Sequence, residues 1–597
     1  YKKICSCNRV DIMIEKPLSY YLKKSKTIDL ENSNFKKIAF LSNFTLQGLS
    51  SVLQVISNQY GMNIHVYESP YNQYRQEIID MNSNWNKFNS DMSFLILDFE
   101  SLIGSSIYDY HSYKTEERKE LIDKTCLDVI NLVESILKHQ NGIIVISTFL
   151  LPTFSPLGIY ESKMKYPLKE FVIKLNQLLF ELSTKHDSLF CLEMDNLFQK
   201  FGSENMVDEK LKYLADMKIS PDKFEHIAND MLSFLIPLFG KTKKCLVLDL
   251  DNTLWGGIVG EDGINGIKLD SKSPGNSFLE FQKVILQLNQ RGVILAINSK
   301  NNLSDVIEVF EKHPNMILKE NHFASMKINW NDKASNISSI AGEINVGIDS
   351  MVFWDDDPVN RELIRQKFPD VFVVDVPKDT SLYAKTLRTL PLFNSFQLTN
   401  EDMKKGQIYA AQRQRKTHES SFTNIDDFLS SLEMEVECEN ANEFTINRIS
   451  QLVMKTNQFN LTSKRYSDNE IKKMAFDDNY IIRTFSVIDK FGDNGLIGLY
   501  IIKKISTKEW IIDSFLLSCR IMGRNMENLM LNDILQLAQQ ENIEKIEGEY
   551  IKSPKNSVTK DLYTKYGFRS ISDTKFVLDN ISNFILNQLS YIKSKNK

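Results

Sequence analysis

Cysteine is scarce in this chain, with 7 in 597 residues, an odd number without regular spacing. That excludes a disulfide-built scaffold and points to a reducing compartment. Cys5 and Cys7 stand too far from other metal ligands to suggest zinc. The 23 glycines and 14 prolines are too few for collagen or a low-complexity chain. No apolar run approaches the roughly 18 residues of a membrane span, and the opening residues carry no signal-peptide pattern. Charge of one sign is missing as well: Lys+Arg 72 against Asp+Glu 77 leaves a net charge of −5. The concentrated basic run is Arg413-Gln414-Arg415-Lys416, which is short for a nucleic-acid surface. The expectation is a soluble cytoplasmic protein with neither nucleic acid nor membrane as a partner.

What is present is the composition of a globular protein, 42% hydrophobic and 25% charged. At about 100–200 residues per domain, the length implies three to five domains. Residues 1–36 are polar and weakly periodic and read as an N-terminal arm. From 37 to 240 short apolar runs (Ile38–Leu41, Phe94–Leu97, Ile143–Ile146) alternate with helical periods such as Leu121–Leu137. That grammar predicts a parallel sheet covered on both faces. A second α/β unit spans 241–392, with strands expected at Cys245–Leu248, Val293–Ile297 and Met351–Trp354. A charged helical connector occupies 393–430. Residues 431–597 read as α+β with a largely antiparallel sheet: strands at Tyr480–Ile488, Leu496–Ile502 and Trp510–Leu517, a turn at Phe491–Gly495, and a helix over about 524–541.

The middle unit carries the sharpest chemical signal. Leu248-Asp249-Leu250-Asp251-Asn252-Thr253 follows directly on an apolar strand. Carboxylates at i and i+2 beyond a strand end converge on one pocket, where the first can attack phosphorus and the second can move a proton. A Mg²⁺ ion would offset the repulsion between this pair and a phosphate. The next strand leads to Asn298-Ser299-Lys300, a hydroxyl for a phosphate oxygen, and a later one to Asp355-Asp356-Asp357, carboxylates to complete a metal site. Either Lys333 or Lys327 could add positive charge. Singly, each feature reads as a loop cap or a solvated turn. Three strand ends in this order, at the carboxyl edge of a parallel sheet, read as a site.

This order resembles the haloacid dehalogenase (HAD) superfamily. The continuation Leu254-Trp255-Gly256-Gly257-Ile258-Val259-Gly260-Glu261-Asp262-Gly263 is similar to its FkbH-like branch, subfamily IIIC. The resemblance implies a Rossmann-like HAD domain with Asp249 as nucleophile and Asp251 as acid/base. It makes Ser299 the phosphate-binding hydroxyl and Lys333 the stabilising lysine, chosen over Lys327 by its spacing to the acidic pair. Asp249, Asp251, Asp355 and Asp356 then hold the metal. Neither Thr253–Phe278 nor Lys333–Asp355 has room for an inserted cap domain, so the site is expected to be capless and open to a large substrate or a carrier-bound arm.

The C-terminal region resembles the GNAT acyltransferases. Arg520-x-x-Gly523-x-Asn525, running into Arg524 and a helix start, is similar to their pyrophosphate loop; Asn556, Tyr563 and Gly567-Phe568 resemble their last motif. By that resemblance Arg520, Gly523, Arg524, Asn525 and Asn556 bind the cofactor, and Tyr563 protonates a thiolate leaving group. Thr456-Asn457-Gln458-Phe459-Asn460-Leu461 and Asp489–Gly495 look like the same half of FkbH-like proteins. Residues 37–240 resemble the SGNH-hydrolase-like region of long members in degenerate form. Phe44 stands at the serine place, Asp222 and His226 are one residue too far apart, and Ser42 with His226 is a residual dyad candidate.

Together the resemblances imply that phosphate is removed from 1,3-bisphosphoglycerate and the glyceryl group is passed to the thiol of an acyl carrier protein. The cofactors implied are Mg²⁺ and phosphopantetheine on the carrier, or CoA. Relatives have cysteine immediately before the serine of the second strand, where this chain has Asn298. The candidate thiol becomes Cys519, beside Arg520 and a helix N-terminus, a setting that favours thiolate. Two alternatives stand beside this reading: a HAD phosphatase fused to an acyl-CoA-dependent N- or O-acyltransferase, and a non-catalytic module that docks a carrier protein.

Overall fold

The computed structural model describes residues 16–28, 35–140, 142–398, 400–419, 421–456, 458–466, 468–553, 556–586 and 589–595. By contacts the chain divides into two units, residues 1–244 with 347–397 and residues 245–346 with 398–597. The described residues form three sheets.

The first sheet is built from β1 (Phe35–Ser42), β2 (Asn63–Glu68), β3 (Met92–Ile96), β4 (Ile143–Ser147) and β5 (Leu189–Leu192). They lie in the order β2-β1-β3-β4-β5, every pair parallel. The apolar runs are continuous because helices cover both faces: β3 is buried at all five residues. The helix Thr115–His139 turns Ile122, Val129, Leu132, Val133 and Ile136 into this core at helical spacing, with Lys138 and His139 at its negative end. Part of the expected arm is helical. Leu18–Ser25 forms a helix, and the hydroxyl of its buried Tyr21 donates to Glu225 at 2.7 Å.

The second sheet joins β6 (Cys245–Leu248), β7 (Ile294–Ser299), β8 (Phe323–Ile328), β9 (Met351–Trp354) and β10 (Phe372–Val373) in the order β10-β9-β6-β7-β8. β6 and β9 match the sequence expectation residue for residue. β7 runs two residues further than expected, so Asn298 and Ser299 still pair, with Lys327 and Ile328 of β8. Between β6 and the helix Gly275–Gln290 lie two isolated bridges, Asp251 to Trp255 and Gly256 to Lys268, and one short helical stretch, Val259–Gly266, broken at Gly263.

The third sheet has eight strands: β11 (Met434–Asn440), β12 (Tyr480–Asp489), β13 (Gly492–Lys504), β14 (Glu509–Leu517), β15 (Lys545–Glu549), β16 (Arg569–Ser570), β17 (Lys575–Asp579) and β18 (Ile592–Ser594). Their order is β16-β17-β15-β14-β13-β12-β11-β18. Only β14–β15 and β11–β18 are parallel. The five-residue turn expected at Phe491–Gly495 is shorter. Asp489 pairs with Gly492 across Lys490-Phe491, and the carboxylate of Asp489 accepts the Phe491 N–H at 2.9 Å. Gly492 takes φ +137°, and the remaining residues enter β13 through register shifts opposite Ser486.

The pairing of β14 with β15 ends at Ile512–Gly548, while β14 continues to Leu517. The opening is filled by residues 459–462. Leu517 N–H donates to Phe459 O, Leu461 N–H to Phe515 O and Ile551 N–H to Leu461 O. Phe459, Asn460, Leu461 and Thr462 are all buried. Among the described residues no helix is long and apolar enough to cross a membrane.

Candidate active site

The ends of β6, β7 and β9 gather the acidic and polar residues that the sequence singled out. Asp249, one residue past β6, is 8% exposed, and its Oδ2 lies 2.7 Å from Nζ of Lys333, the first residue of the helix Lys333–Ile344. Lys327, the alternative lysine, instead pairs with Glu343 at 2.9 Å. Asp249, Asp355 and Asp356 each offer one carboxylate oxygen, all within 4.8 Å of one another. Three converging carboxylates are the hard-oxygen set that suits Mg²⁺. The acidic turn after β9 is held from behind: Arg361 donates to the carbonyls of Asp355 and Asp356 at 2.7 Å each, and Asp357 N–H donates to Asp355 Oδ1 at 2.9 Å. Asp357 itself caps the helix Pro358–Lys367 through Val359 N–H. Nearby, burial and the charge of Asp356 push the Tyr383 hydroxyl up to about 12.

Asp251 departs from the expected metal set. Its Oδ1 accepts Trp255 Nε1–H at 2.8 Å and Val259 N–H at 3.1 Å, and its Oδ2 accepts Asn301 Nδ2–H at 3.0 Å. With both oxygens engaged by donors, its carboxylate is turned to these partners rather than grouped with the other three. Ser299 is 1% exposed, and its Oγ accepts a second bond from Asn301 at 3.2 Å. Asn298 is fully buried: its Nδ2 donates to Lys333 O at 2.8 Å and its Oδ1 accepts from Asn336 at 3.1 Å. Asn301, Trp255 and Asn336 were not legible as site residues. The signal was there for Asn301, which follows Ser299 by two positions, as Asp251 follows Asp249.

In the C-terminal region four of the residues expected to bind a cofactor, Arg520, Arg524, Asn525 and Asn556, are bonded internally. Arg524 pairs with buried Asp489 at 3.2 Å, beside Arg415 at 2.6 Å on the same carboxylate. Burial and the neighbouring Arg415 pull Arg524 down to about 10. Asn525, at φ +58°, stands at the N-cap position of the helix Met526–Gln540 without a side-chain cap bond and donates its amide to the Tyr591 hydroxyl. Arg520 donates to Ser518 Oγ at 3.1 Å, and Gly523 is exposed at φ +80°. Asn556 donates to Asn460 O and Ile551 O at 2.9 Å each, which ties down the strand-like segment in the β14–β15 opening. Tyr563 is fully buried with its ring beside Gly548, so the thiolate-protonating contact expected of it has no open approach. The side chain of Cys519 lies outside the described residues, as does Asn457 of the segment beginning at Thr456. The other described thiols, Cys126, Cys191, Cys245 and Cys438, are all raised by burial, Cys191 to about 11 and Cys438 to about 12.

The basic run is spent on packing: Arg413 pairs with Glu320 at 2.9 Å, Arg415 with Asp489, and Lys416 donates to Glu343 O. In the first sheet, Ser42 Oγ accepts Phe44 N–H at 3.1 Å and His226 stacks on Phe201 with ring centroids 3.8 Å apart. Asp222 sits in the short turn Pro221–Lys223.

Residues 37–236 match the family description "FkbH, N-terminal domain"; an SGNH-hydrolase assignment gains nothing from this match. None of the curated proteins matches. Among solved structures, the chain is similar to the N-terminal part of the protein BF1531 from Bacteroides fragilis, described as containing a phosphatase domain complexed with Mg. Identity is 29% and the TM-score 0.59, over 64% of this chain and 100% of that one. Fainter likenesses, over 24% of this chain, are to the ribosomal-protein-S18-alanine N-acetyltransferase of Escherichia coli (9% identity, 93% of that chain, TM-score 0.20) and the N-acetyltransferase PseH of Campylobacter jejuni (18%, 98%, TM-score 0.18). Residues 37–236 thus match the FkbH N-terminal domain model, and over 64% of its length the chain is similar in fold to a protein with a Mg-bound phosphatase domain.

Proposed function

We propose that the site around Asp249 is a Mg²⁺-dependent, HAD-type phosphoryl-transfer centre that removes phosphate from a phosphorylated three-carbon acyl donor, 1,3-bisphosphoglycerate by resemblance. The glyceryl group then passes to the thiol of an acyl carrier protein. The observation that carries the first half is the convergence of Asp249, Asp355 and Asp356 within 4.8 Å, with Lys333 2.7 Å from the nucleophile candidate. The likeness to the Mg-bound phosphatase-domain protein supports the same half.

In this reading Asp249, Asp355 and Asp356 hold the ion, which when bound supplies positive charge against the phosphate. A carboxylate oxygen of Asp249 attacks the phosphorus of the C3 phosphate ester, and the bond from phosphorus to the C3 oxygen breaks as Asp251 gives that oxygen its proton; the acyl phosphate at C1 stays intact, so that a thiol can later attack its carbonyl and expel the second phosphate. Water then attacks the aspartyl-phosphate and gives its proton to Asp251, releasing inorganic phosphate. Ser299 and Lys333 bind the phosphoryl oxygens; Lys333 also balances the carboxylates before substrate arrives.

The second half rests on resemblance and on chemistry: an acyl-phosphate is reactive enough to acylate a thiol. Asn298, buried and bonded at both ends of its amide, offers no nucleophile on β7, and desolvation raises the four described thiols, which disfavours their thiolates. Direct transfer to the carrier thiol, or loading of Cys519, remains for this reading. The acyl-CoA-dependent alternative has the filled β14–β15 opening and the internally paired Arg524 and Asn525 against it.

The test is intact-protein mass spectrometry after incubation with Mg²⁺ and 1,3-bisphosphoglycerate generated in situ, with and without a carrier protein. The expected result is phosphate release that Asp249→Asn abolishes, and a glyceryl adduct on the carrier. A glyceryl adduct on the protein that Cys519→Ala removes would place the thiol. Phosphate release without any acyl adduct would overturn the transfer half.

A further inference from the structure

Asn301 links two groups that the proposed reaction uses separately. It lies two residues beyond β7 and is 5% exposed. One amide nitrogen, Nδ2, donates to Asp251 Oδ2 at 3.0 Å and to Ser299 Oγ at 3.2 Å. An amide nitrogen carries two hydrogens, and this geometry gives one to each acceptor.

Each bond has a chemical consequence. A serine hydroxyl has one hydrogen and two lone pairs. With Asn301 donating to its oxygen, the Ser299 hydrogen is free to point away and donate, which is the polarity a phosphate oxygen requires. On Asp251, Trp255 and Val259 fix Oδ1 and Asn301 fixes Oδ2, so the carboxyl plane is set from both sides. Asn301 makes no use of its side chain in bond making or breaking; its effect passes through its two neighbours.

We infer that Asn301 is a positioning residue that orients Asp251 toward the leaving oxygen and turns the Ser299 hydroxyl into a phosphate donor. This rests on the phosphoryl-transfer reading of the Asp249 site. In that reaction the bond from phosphorus to the leaving oxygen breaks, the bond to Asp249 forms, and the proton of Asp251 goes to the leaving oxygen. A phenolate leaving group needs that proton; a nitrophenolate needs it less, and the carboxylate released from an acyl phosphate scarcely at all. The demand on Asn301 therefore scales with the leaving group.

The full chain with Mg²⁺ is compared with Asn301→Ala and, as a second variant that keeps a small polar group, Asn301→Ser. Phosphate release is measured from acetyl phosphate, p-nitrophenyl phosphate and phenyl phosphate, and inorganic phosphate binding is followed by thermal shift. Removing a positioned acid typically costs about 10²–10⁴-fold, so kcat/KM on phenyl phosphate, which reports formation of the aspartyl-phosphate and not its shared hydrolysis, should fall by about 10²-fold or more. On acetyl phosphate the loss should stay within about tenfold, and inorganic phosphate should bind more weakly to both variants. An equal loss on all three substrates, or unchanged phosphate binding with unchanged leaving-group dependence, would overturn the inference. If Asp249→Asn keeps full turnover, the reading of the site itself falls instead. Phosphate binding is measured without turnover, so it decides the Ser299 half even for a variant that releases no phosphate.

Discussion

Lys333 Nζ and Asp249 Oδ2 stand 2.7 Å apart with their side chains 2% and 11% exposed, an ion pair inside a cluster that would otherwise be three carboxylates deep. Breaking such a pair from one side leaves an uncompensated buried charge, at a cost of about 3–5 kcal/mol. Lys333→Met is therefore expected to melt markedly lower than the native chain in EDTA, to recover part of the loss in Mg²⁺, and to release phosphate at least about 10²-fold more slowly. Melting curves with and without the ion check this; equal melting points in EDTA would contradict it.

Mg²⁺ should stabilise the protein independently of any substrate. Binding to the folded state alone adds about 2.7 kcal/mol at a hundred times the dissociation constant. The melting point should rise with Mg²⁺ in the native chain and lose that response in Asp355→Asn, because Asp355 is fully buried at the point where Asp249 and Asp356 converge. A retained shift would move the ion elsewhere.

Asp489 accepts from Arg415 and Arg524 and is itself fully buried. Asp489→Ala leaves two guanidinium groups facing each other in the interior, and should destabilise the C-terminal sheet by about 3–5 kcal/mol. Far-UV circular dichroism against urea would register it as an earlier transition; an unchanged midpoint would refute the assignment.

Acid should weaken the fold through two histidines. His313 Nδ1 accepts Asn315 N–H at 3.3 Å and His322 Nδ1 accepts Lys319 N–H at 2.9 Å. Burial holds both rings below their ordinary value of 6.5. The unfolded chain protonates first, so their contribution is intact above about pH 6.5 and is lost as pH falls from there toward the lowered folded values. A His313→Gln, His322→Gln double variant should lose less melting temperature between pH 7.5 and 5.5 than the native chain does.

The sequence made β6 and β9 readable to the residue, because short runs such as Cys245–Leu248 and Met351–Trp354 are apolar throughout and end on carboxylates. It made the acidic convergence readable for the same reason: strand ends in a parallel sheet share one edge. The roles of Asn301 and Trp255 were hidden because a hydrogen-bonding asparagine or indole has no periodicity, and its partner is chosen by three-dimensional closeness. The short turn after Asp489 was hidden because Gly492, Asp493, Asn494 and Gly495 are turn formers by type; the Asp489 carboxylate closes the turn earlier. The occupation of the β14–β15 opening was the least readable of all, since residues 459–462 lie some distance from both strands in the chain. The same Thr456–Leu461 stretch carries family resemblance without revealing that it serves as a strand.

That inserted segment matters for how the third sheet meets other chains. A sheet parted in its middle would present two further rows of unpaired backbone groups, each able to template a strand from a neighbouring molecule. With residues 459–462 in place, the sheet's free margins are β16 and β18, two and three residues long. Loosening the insert, for instance by replacing Leu461, would expose a sticky seam at the centre of the domain, and the first symptom would be self-association.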